Sequence, residues 1–324
     1  MKSKRFIHTL KLQNFLSFGS DAEEIELQPL NVLIGANASG KSNLIEAIGF
    51  LKAAPTDLLT PIRQGGGVRE FLWKGDNSIP IAKIEAIVDY DEPLFYRLSF
   101  TAVSQKLQIV DEDIENQSPR LGQNEFDFYY HFKNGNPIIN SRVFNFKAIR
   151  LKESFGQQNL SINQSILSEI KNLASHPEIT YLGKEFSNIG LYKDWNIGRN
   201  SLARLPQQAD LPEHPLLKDG SNLGIFFNNL QHQLGNREII EKLNKFYDAA
   251  EELTTKIYGG TVQIFIREKG MIQPIPATRL SDGTLHYLFL MALLLDPTPP
   301  PLICIEEPEI GLHPDILPTI AEML

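Results

Sequence analysis

Residues Gly35–Ser42 read GANASGKS and fit the spacing G-x-x-x-x-G-K-S. The chemistry dictates each residue type. Gly35 and Gly40 let the backbone curl, so that successive N–H groups, with Asn37, Ala38 and Ser39 between them, point at one centre. The N-terminus of a following helix adds its partial positive charge. Lys41 reaches the β- and γ-phosphates, and the Ser42 hydroxyl ligates Mg²⁺. The flanks supply the context this motif requires. Asn31-Val32-Leu33-Ile34 suits a buried strand, and Leu44, Ile45, Ala47 and Ile48 recur at helical spacing. A nucleoside-triphosphate site follows.

The far end of the chain carries a second cluster. Ser281-Asp282-Gly283-Thr284 precedes an apolar helix, Leu285 to Leu295. Ser281 and Asp282 suit an N-cap, and Gly283 allows close backbone approach. Beyond it, Pro301-Leu302-Ile303-Cys304-Ile305 reads as a buried strand ending in Glu306-Glu307-Pro308-Glu309. Acids at the end of an apolar strand are costly unless they handle a cation or a proton. A metal-binding partner for a phosphate loop takes this form.

These motifs need a scaffold, and the chain of 324 residues is long enough for one large or two modest domains. A net charge of -8 excludes a chain that is cationic as a whole and drawn to phosphate backbones. The single cysteine, Cys304, excludes a disulfide framework and fits the core of a protein in a reducing compartment. The longest apolar run, Tyr287 to Leu295, is too short to span a bilayer. A soluble cytoplasmic protein is expected.

Arg5–Leu12 alternates as a strand, Asn14–Gly19 turns, and Glu24–Leu27 leads towards the phosphate loop. From Ile81 to Ile149 the period falls to two, and Asn134-Gly135 marks a hairpin, so an antiparallel meander of four or more strands is expected. Its aromatics read as a core face rather than a base-stacking platform, because its strands carry few Lys or Arg. From Ser161 the pattern turns helical, with Ile162, Ile166, Leu167, Ile170 and Leu173 on one stripe. Helices are expected over Gly224–Leu234 and Arg237–Tyr258, with strands again over Thr261–Arg267 and Met271–Ile275. The expected domains are a nucleotide-binding lobe with β-insert at 1–155, a helical lobe at 156–258, and a return to the core at 259–324.

The phosphate loop, then LSDGT, then ICIEEPEIGLHP, in this order at the two ends of the chain, resembles the head of an ABC-type ATPase. More narrowly it resembles the RecF/SMC-like and OLD-like group of AAA-type ATPases, which NFLSFG and the GxNxSGKSN form of the loop, with Asn37 and Asn43, also fit. The resemblance implies an α/β P-loop NTPase with an antiparallel β-insert and a helical lobe. It assigns phosphates and Mg²⁺ to Lys41 and Ser42, the Walker B position to Glu306, and the general base that activates water to Glu307. Ser281 and Gly283 become the signature that contacts the γ-phosphate of ATP held by a second protomer. Glu309–His313 matches the loop at the dimer interface, where His313 reads as an interface residue. Glu306 stands where Asp is commoner, so its longer side chain holds the metal through water. For the metal-contacting glutamine, Gln157, Gln158 and Gln164 are candidates, with Gln164 preferred because it directly precedes a helix.

Two functional classes stay open. One is an ATPase that dimerises on ATP and acts on DNA, or in a repair or defence complex. The other is a nucleotide-gated module whose slow hydrolysis times its hold on a separate effector such as a nuclease. A transporter ATPase is weaker, given the signature. The resemblance also implies a central strand ending in a Ser/Thr-His pair after Pro314. None follows before Leu324. The expectation is therefore a truncated form, or a gap filled by another segment, that binds ATP better than it hydrolyses it.

Overall fold

Period-two alternation yields the expected meander, and it extends further than the sequence alone suggested. The computed structural model describes residues 5–21, 24–76, 78–119, 127–133, 135–145, 147–154 and 161–324. Two units are distinguished, Met1–Ile189 and Gly190–Leu324.

In the first unit β1 (Ile7–Gln13) and β2 (Glu24–Glu26) precede helices α1 (Lys41–Ala53) and α2 (Leu59–Gln64). Then come β3 (Ala82–Val88), β4 (Leu94–Val103), β5 (Lys106–Asn116), β6 (Phe128–Lys133), β7 (Asn136–Asn145) and β8 (Lys147–Ser154). All join one antiparallel sheet in the order β2-β1-β3-β4-β5-β6-β7-β8. Lys133 lies opposite Asn136 across the expected hairpin, and Gly135 takes the left-handed φ of 81° that its turn needs. Two short helices close the unit, α3 (Ile166–Glu169) and α4 (Pro177–Ser187). One sheet face is apolar through Leu10, Ile84, Tyr96, Leu98 and Phe100, all buried. Phe50 of α1 stacks on Phe100 at 5.3 Å, and Phe186 of α4 meets Tyr96 edge-on at 5.4 Å. Aromatic pairs in these geometries contribute about 0.5–1.5 kcal/mol beyond their area. Tyr96 and Phe100 of the insert thus serve a core, as expected.

The second unit opens with β9 (Gly190–Tyr192), β10 (Gln207–Gln208), α5 (Leu223–Leu234) and α6 (Asn236–Asn244). It continues through β11 (Ala250–Tyr258), β12 (Thr261–Glu268), β13 (Ile275–Pro276), α7 (Asp282–Leu294), β14 (Ile303–Ile305) and α8 (Leu317–Ala321). Strands β10, β12 and β11 form one antiparallel sheet with β13 on β12, and β14 pairs with β9 in parallel. Helix α7 is buried continuously from Thr284 to Leu293, as a helix apolar on nearly every side requires, with His286 a polar exception. Around it pack Phe226, Phe227, Ile239, Leu243, Leu253 and Ile264.

Four expectations need correction. The helix expected over Arg237–Tyr258 ends at Asn244, and Ala250–Tyr258 is β11, paired along its length with β12. Ile239 and Leu243 face inward as anticipated, but Leu253 does so from a strand. The stripe beginning at Ile162 gives only the one-turn helix α3, with Ile162 and Leu173 exposed. Asn31–Ile34 is neither strand nor buried. Val32 is 73% and Ile34 88% exposed, and among the described residues no neighbouring strand hydrogen-bonds to them. A run this short holds as a strand only with a ladder partner. Ile303–Ile305 is a strand but only half-buried, Cys304 included. Among the described residues no helix is long and apolar enough to cross a membrane.

Candidate functional site

The phosphate loop belongs to the first unit. Ala38 and Gly40 both have left-handed φ, 63° and 93°, and Gly40 caps α1. This pair of angles bends the chain into a concave nest ahead of the helix N-terminus, a shape that gathers N–H groups on an anion. A side chain at Gly35 would place its Cβ 2.7 Å from Ser39 Oγ, which would have to turn away to make room. Lys41 Nζ donates to Gly35 O at 2.8 Å and to Ala36 O at 2.9 Å, holding the ammonium over the loop. Asn37, Ser39 and Ser42 lie on the exposed rim or the first turn of α1. The residues fit a triphosphate: a nest, a helix N-terminus and one ammonium.

Sequence reasoning missed the neighbouring cleft. Asn43 Nδ2 donates to Ser17 Oγ at 2.7 Å, tying the NFLSFG turn to α1. Leu16 N donates to Phe71 O and Trp73 N to Asn14 O, both at 2.9 Å, so the turn is joined to the 71–73 segment. Between them opens a cleft of about 350 Å³ lined by Leu16, Ser17, Asn43, Trp73, Lys74 and Gly75 among others. NFLSFG stands out as a motif, but nothing local in the sequence ties Trp73 to it.

Gln164 lies one residue before Ser165, the N-cap of α3, and is exposed. Gln157 and Gln158 lie outside the described residues. Ser165 is held by Glu112, whose carboxylate accepts from Tyr96 Oη at 2.9 Å, Ser165 Oγ at 2.5 Å and Ile166 N at 3.0 Å.

The signature and the paired acids belong to the second unit. Ser281 Oγ accepts from Thr284 N at 3.0 Å and caps α7, as its type anticipated. Arg204, only 4% exposed, clamps the same turn. Its guanidinium donates to Ile197 O at 3.1 Å, Gly198 O at 3.3 Å, Ala277 O at 3.3 Å and Leu280 O, and it pairs with Asp282 at 2.5 Å. Gly283 faces Gly311, whose carbonyl would lie 2.8 Å from any Cβ there. Close approach is thus the reason for glycine at 283. Glu306 N donates to Tyr192 O at 2.9 Å at the end of β14. Glu307 follows with a φ of 49°. Left-handed backbone is unfavourable for a residue with a Cβ, and such strain collects at working sites. His313 caps the turn at Pro314 through Nδ1, which accepts from Asp315 N at 3.3 Å, and is exposed. His286 is fully buried, and burial holds its pKa below the ordinary imidazole value.

A family model described as "AAA domain, putative AbiEii toxin, Type IV TA system" matches residues 30–324. No curated protein matches the sequence. Among solved structures, the SmcHead bound to the C-winged helix domain of ScpA aligns with a TM-score of 0.56, covering 98% of this chain and 85% of that one at 12% identity. The Smc head domain with an extended coiled coil, bound to the C-terminal domain of ScpA derived from Pyrococcus furiosus, aligns with a TM-score of 0.54, covering 98% and 86% at 12% identity. At that identity the likeness is one of fold, the P-loop NTPase fold of an SMC ATPase head.

Proposed function

The chain belongs to this AAA-domain family, an ABC/SMC-like group of ATPases, and from that premise we propose that it dimerises on ATP and separates again on hydrolysis. Gly35, Asn37, Ala38, Ser39, Gly40, Lys41 and Asn43 bind the nucleotide. Ser42 and Glu306, with Gln164, hold Mg²⁺, which when bound neutralises charge on the β- and γ-phosphates. Glu307 orients and activates the attacking water. Ser281 and Gly283 contact the γ-phosphate of ATP held by the second copy, so ATP joins the pair and its hydrolysis loosens it.

The observation that carries this reading is the N-terminus of α7. It is exposed at Ser281 and Asp282, is contacted from behind by the buried Arg204, and adjoins the turn that holds Glu307. An exposed helix N-terminus is suited to an anion presented from outside. With ATP and Mg²⁺, Glu307→Gln is expected to accumulate a dimer, because binding survives while water activation is lost. Ser281→Arg is expected to bind ATP normally and stay monomeric. Light scattering that finds Glu307→Gln monomeric at saturating ATP refutes the composite site.

The cleft beside Asn43 is suited to the base and ribose, with Trp73 as the stacking surface. Trp73→Ala is expected to weaken ATP about tenfold, the value of one base–aromatic stack, and to leave inorganic tripolyphosphate unaffected. Calorimetry with both ligands checks this, and equal losses for the two place the base elsewhere.

The setting we infer is a defence or DNA-repair complex in the cytoplasm, a compartment that suits a chain whose single cysteine is Cys304. Since the net charge is -8, contact with DNA rests on a local groove of the closed dimer and is steeply salt-dependent. The second reading is the nucleotide-gated module that holds an effector protein. The solved heads of the same fold, each bound to a domain of ScpA, favour keeping it.

A further inference from the structure

Three contacts in the second unit run from α7 to the turn after β14. Gly283 abuts the Gly311 carbonyl. One turn further along the helix, His286 Nδ1 lies 2.6 Å from Ile310 O, so this nitrogen carries the proton and donates. Trp195 lies over His286, ring centres 4.4 Å apart, and its Nε1–H donates to Glu306 O at 2.7 Å. The carbonyls of Glu306 and Ile310 flank Glu307, and Ile310 N donates back to Glu307 O at 3.1 Å. The left-handed Glu307 is thus held from both sides, by Trp195 before it and His286 after it.

The choice of residues is costly unless these bonds have a purpose. His286 is fully buried and its Nε2 has no partner among the described residues. An apolar side chain of that size would fill the space without orphaning a nitrogen. What only the imidazole supplies is a donor to Ile310 O, together with a flat face for Trp195.

We propose that Trp195 and His286 are a positioning pair that couples the signature end of α7 to the Glu306–Glu307 turn, setting the rate of ATP turnover and not nucleotide affinity. A shift of the α7 N-terminus on engaging a partner's γ-phosphate moves Gly283 against Gly311 and His286 against Ile310. Trp195 carries the same displacement to Glu306 O, so the carboxylate of Glu307 is set only in the closed pair. The proposal rests on the ATPase reading of Glu307 and Ser281–Gly283 given above.

The test uses the full chain. Trp195→Phe keeps a ring against His286 and Phe289 and removes only the indole donor. His286→Leu removes the donor to Ile310 O, and His286→Asn returns an amide N–H close to the Nδ1 position. Trp195→Phe and His286→Leu are each expected to lower kcat at least roughly tenfold, with KM and Kd for ATP within about twofold of the parent. His286→Asn is expected to recover kcat to within about threefold of the parent. A merely structural role would shift the melting temperature without that split or that rescue. Trp195→Phe at parental kcat overturns the inference alone, even where His286→Leu fails to fold. A parent chain without ATP turnover, or Glu307→Gln with full turnover, overturns the ATPase reading and the inference with it.

Discussion

Lys41→Ala is expected to reduce affinity for ATP by about a hundredfold or more. An ammonium against phosphate oxygens makes charge-assisted hydrogen bonds worth about 1.5–3 kcal/mol each, and two of them correspond to roughly 10²–10⁴ in Kd. The lower part of that range is the better expectation, because Lys41 Nζ does not come free from water. It already rests on Gly35 O and Ala36 O, and binding exchanges those neutral acceptors for charged ones. The same contacts predict a second effect of the substitution. Without the ammonium, two carbonyls of the loop lose their donor, and the curl through Ala38 and Gly40 loses a brace. Lys41→Arg separates the two contributions, since it keeps the charge but cannot reach both carbonyls from the same point. It is expected to fall between the parent and Lys41→Ala. Calorimetric titration with ATP and Mg²⁺ measures both, and a loss below about fivefold in Lys41→Ala removes Lys41 from the phosphate site.

What could be read from the sequence, and what could not, follows the range of the interactions. The curl between Gly35 and Gly40, the Ser281 cap and the strand that runs up to Glu306 were legible because each is set by neighbours within a few residues. The meander was legible because period two survives through six strands, β3 to β8. Leu253 was misassigned because Ile239, Leu243 and Phe246 carry a helical period up to the Asp248 turn. The switch to strand is decided by β12, which pairs Leu253 with Ile266. Val32–Ile34 looked buried because it is apolar, but burial depends on a pairing neighbour that its own residues do not encode. Arg204, Trp195 and His286 were missed for a plainer reason. Arg204 reaches Asp282 across 78 positions and Trp195 reaches Glu306 across 111. No window of sequence holds both ends of such a contact. Glu112 was visible in KLQIVDEDIEN as one acid among several, but only the register makes it exceptional. It stands opposite Leu98 and Phe132, on the apolar face of the sheet.

That placement gives the last prediction, a stability that falls as pH rises. Glu112 is 1% exposed, and burial pushes its pKa up from 4.5 to about 7. The bonds from Ser165, Ile166 and Tyr96 pull the other way and do not prevail, and the charge of Asp113 adds to the upward shift. Tyr130, on the neighbouring strand, is the other ionisable group that faces it, and it stays neutral, its own pKa raised by burial. Below about pH 4.5 the carboxyl is protonated in both the folded and the unfolded chain, and folding meets no penalty. Between there and about pH 7 the unfolded chain releases the proton while the folded chain keeps it, so stability is lost through that window. The loss levels off above the folded pKa at roughly 3 kcal/mol, a large share of the about 5–15 kcal/mol typical of a domain. Glu112→Gln removes the titration and keeps the bonds. Its carbonyl oxygen accepts from Ile166 N, and its amide donates to a hydroxyl of Ser165 or Tyr96, each of which can turn to accept. The variant is therefore expected to match the parent near pH 4.5 and to exceed it by up to roughly 3 kcal/mol at pH 8. Urea unfolding followed by Trp73 fluorescence in a Trp195→Phe background reports on the first unit alone, since the chain has two tryptophans. A parent-to-variant difference that does not change between those two pH values would place the Glu112 carboxyl in water. It would then not be the group that fastens Ser165 and Ile166, and with them Gln164, to the core face of the sheet.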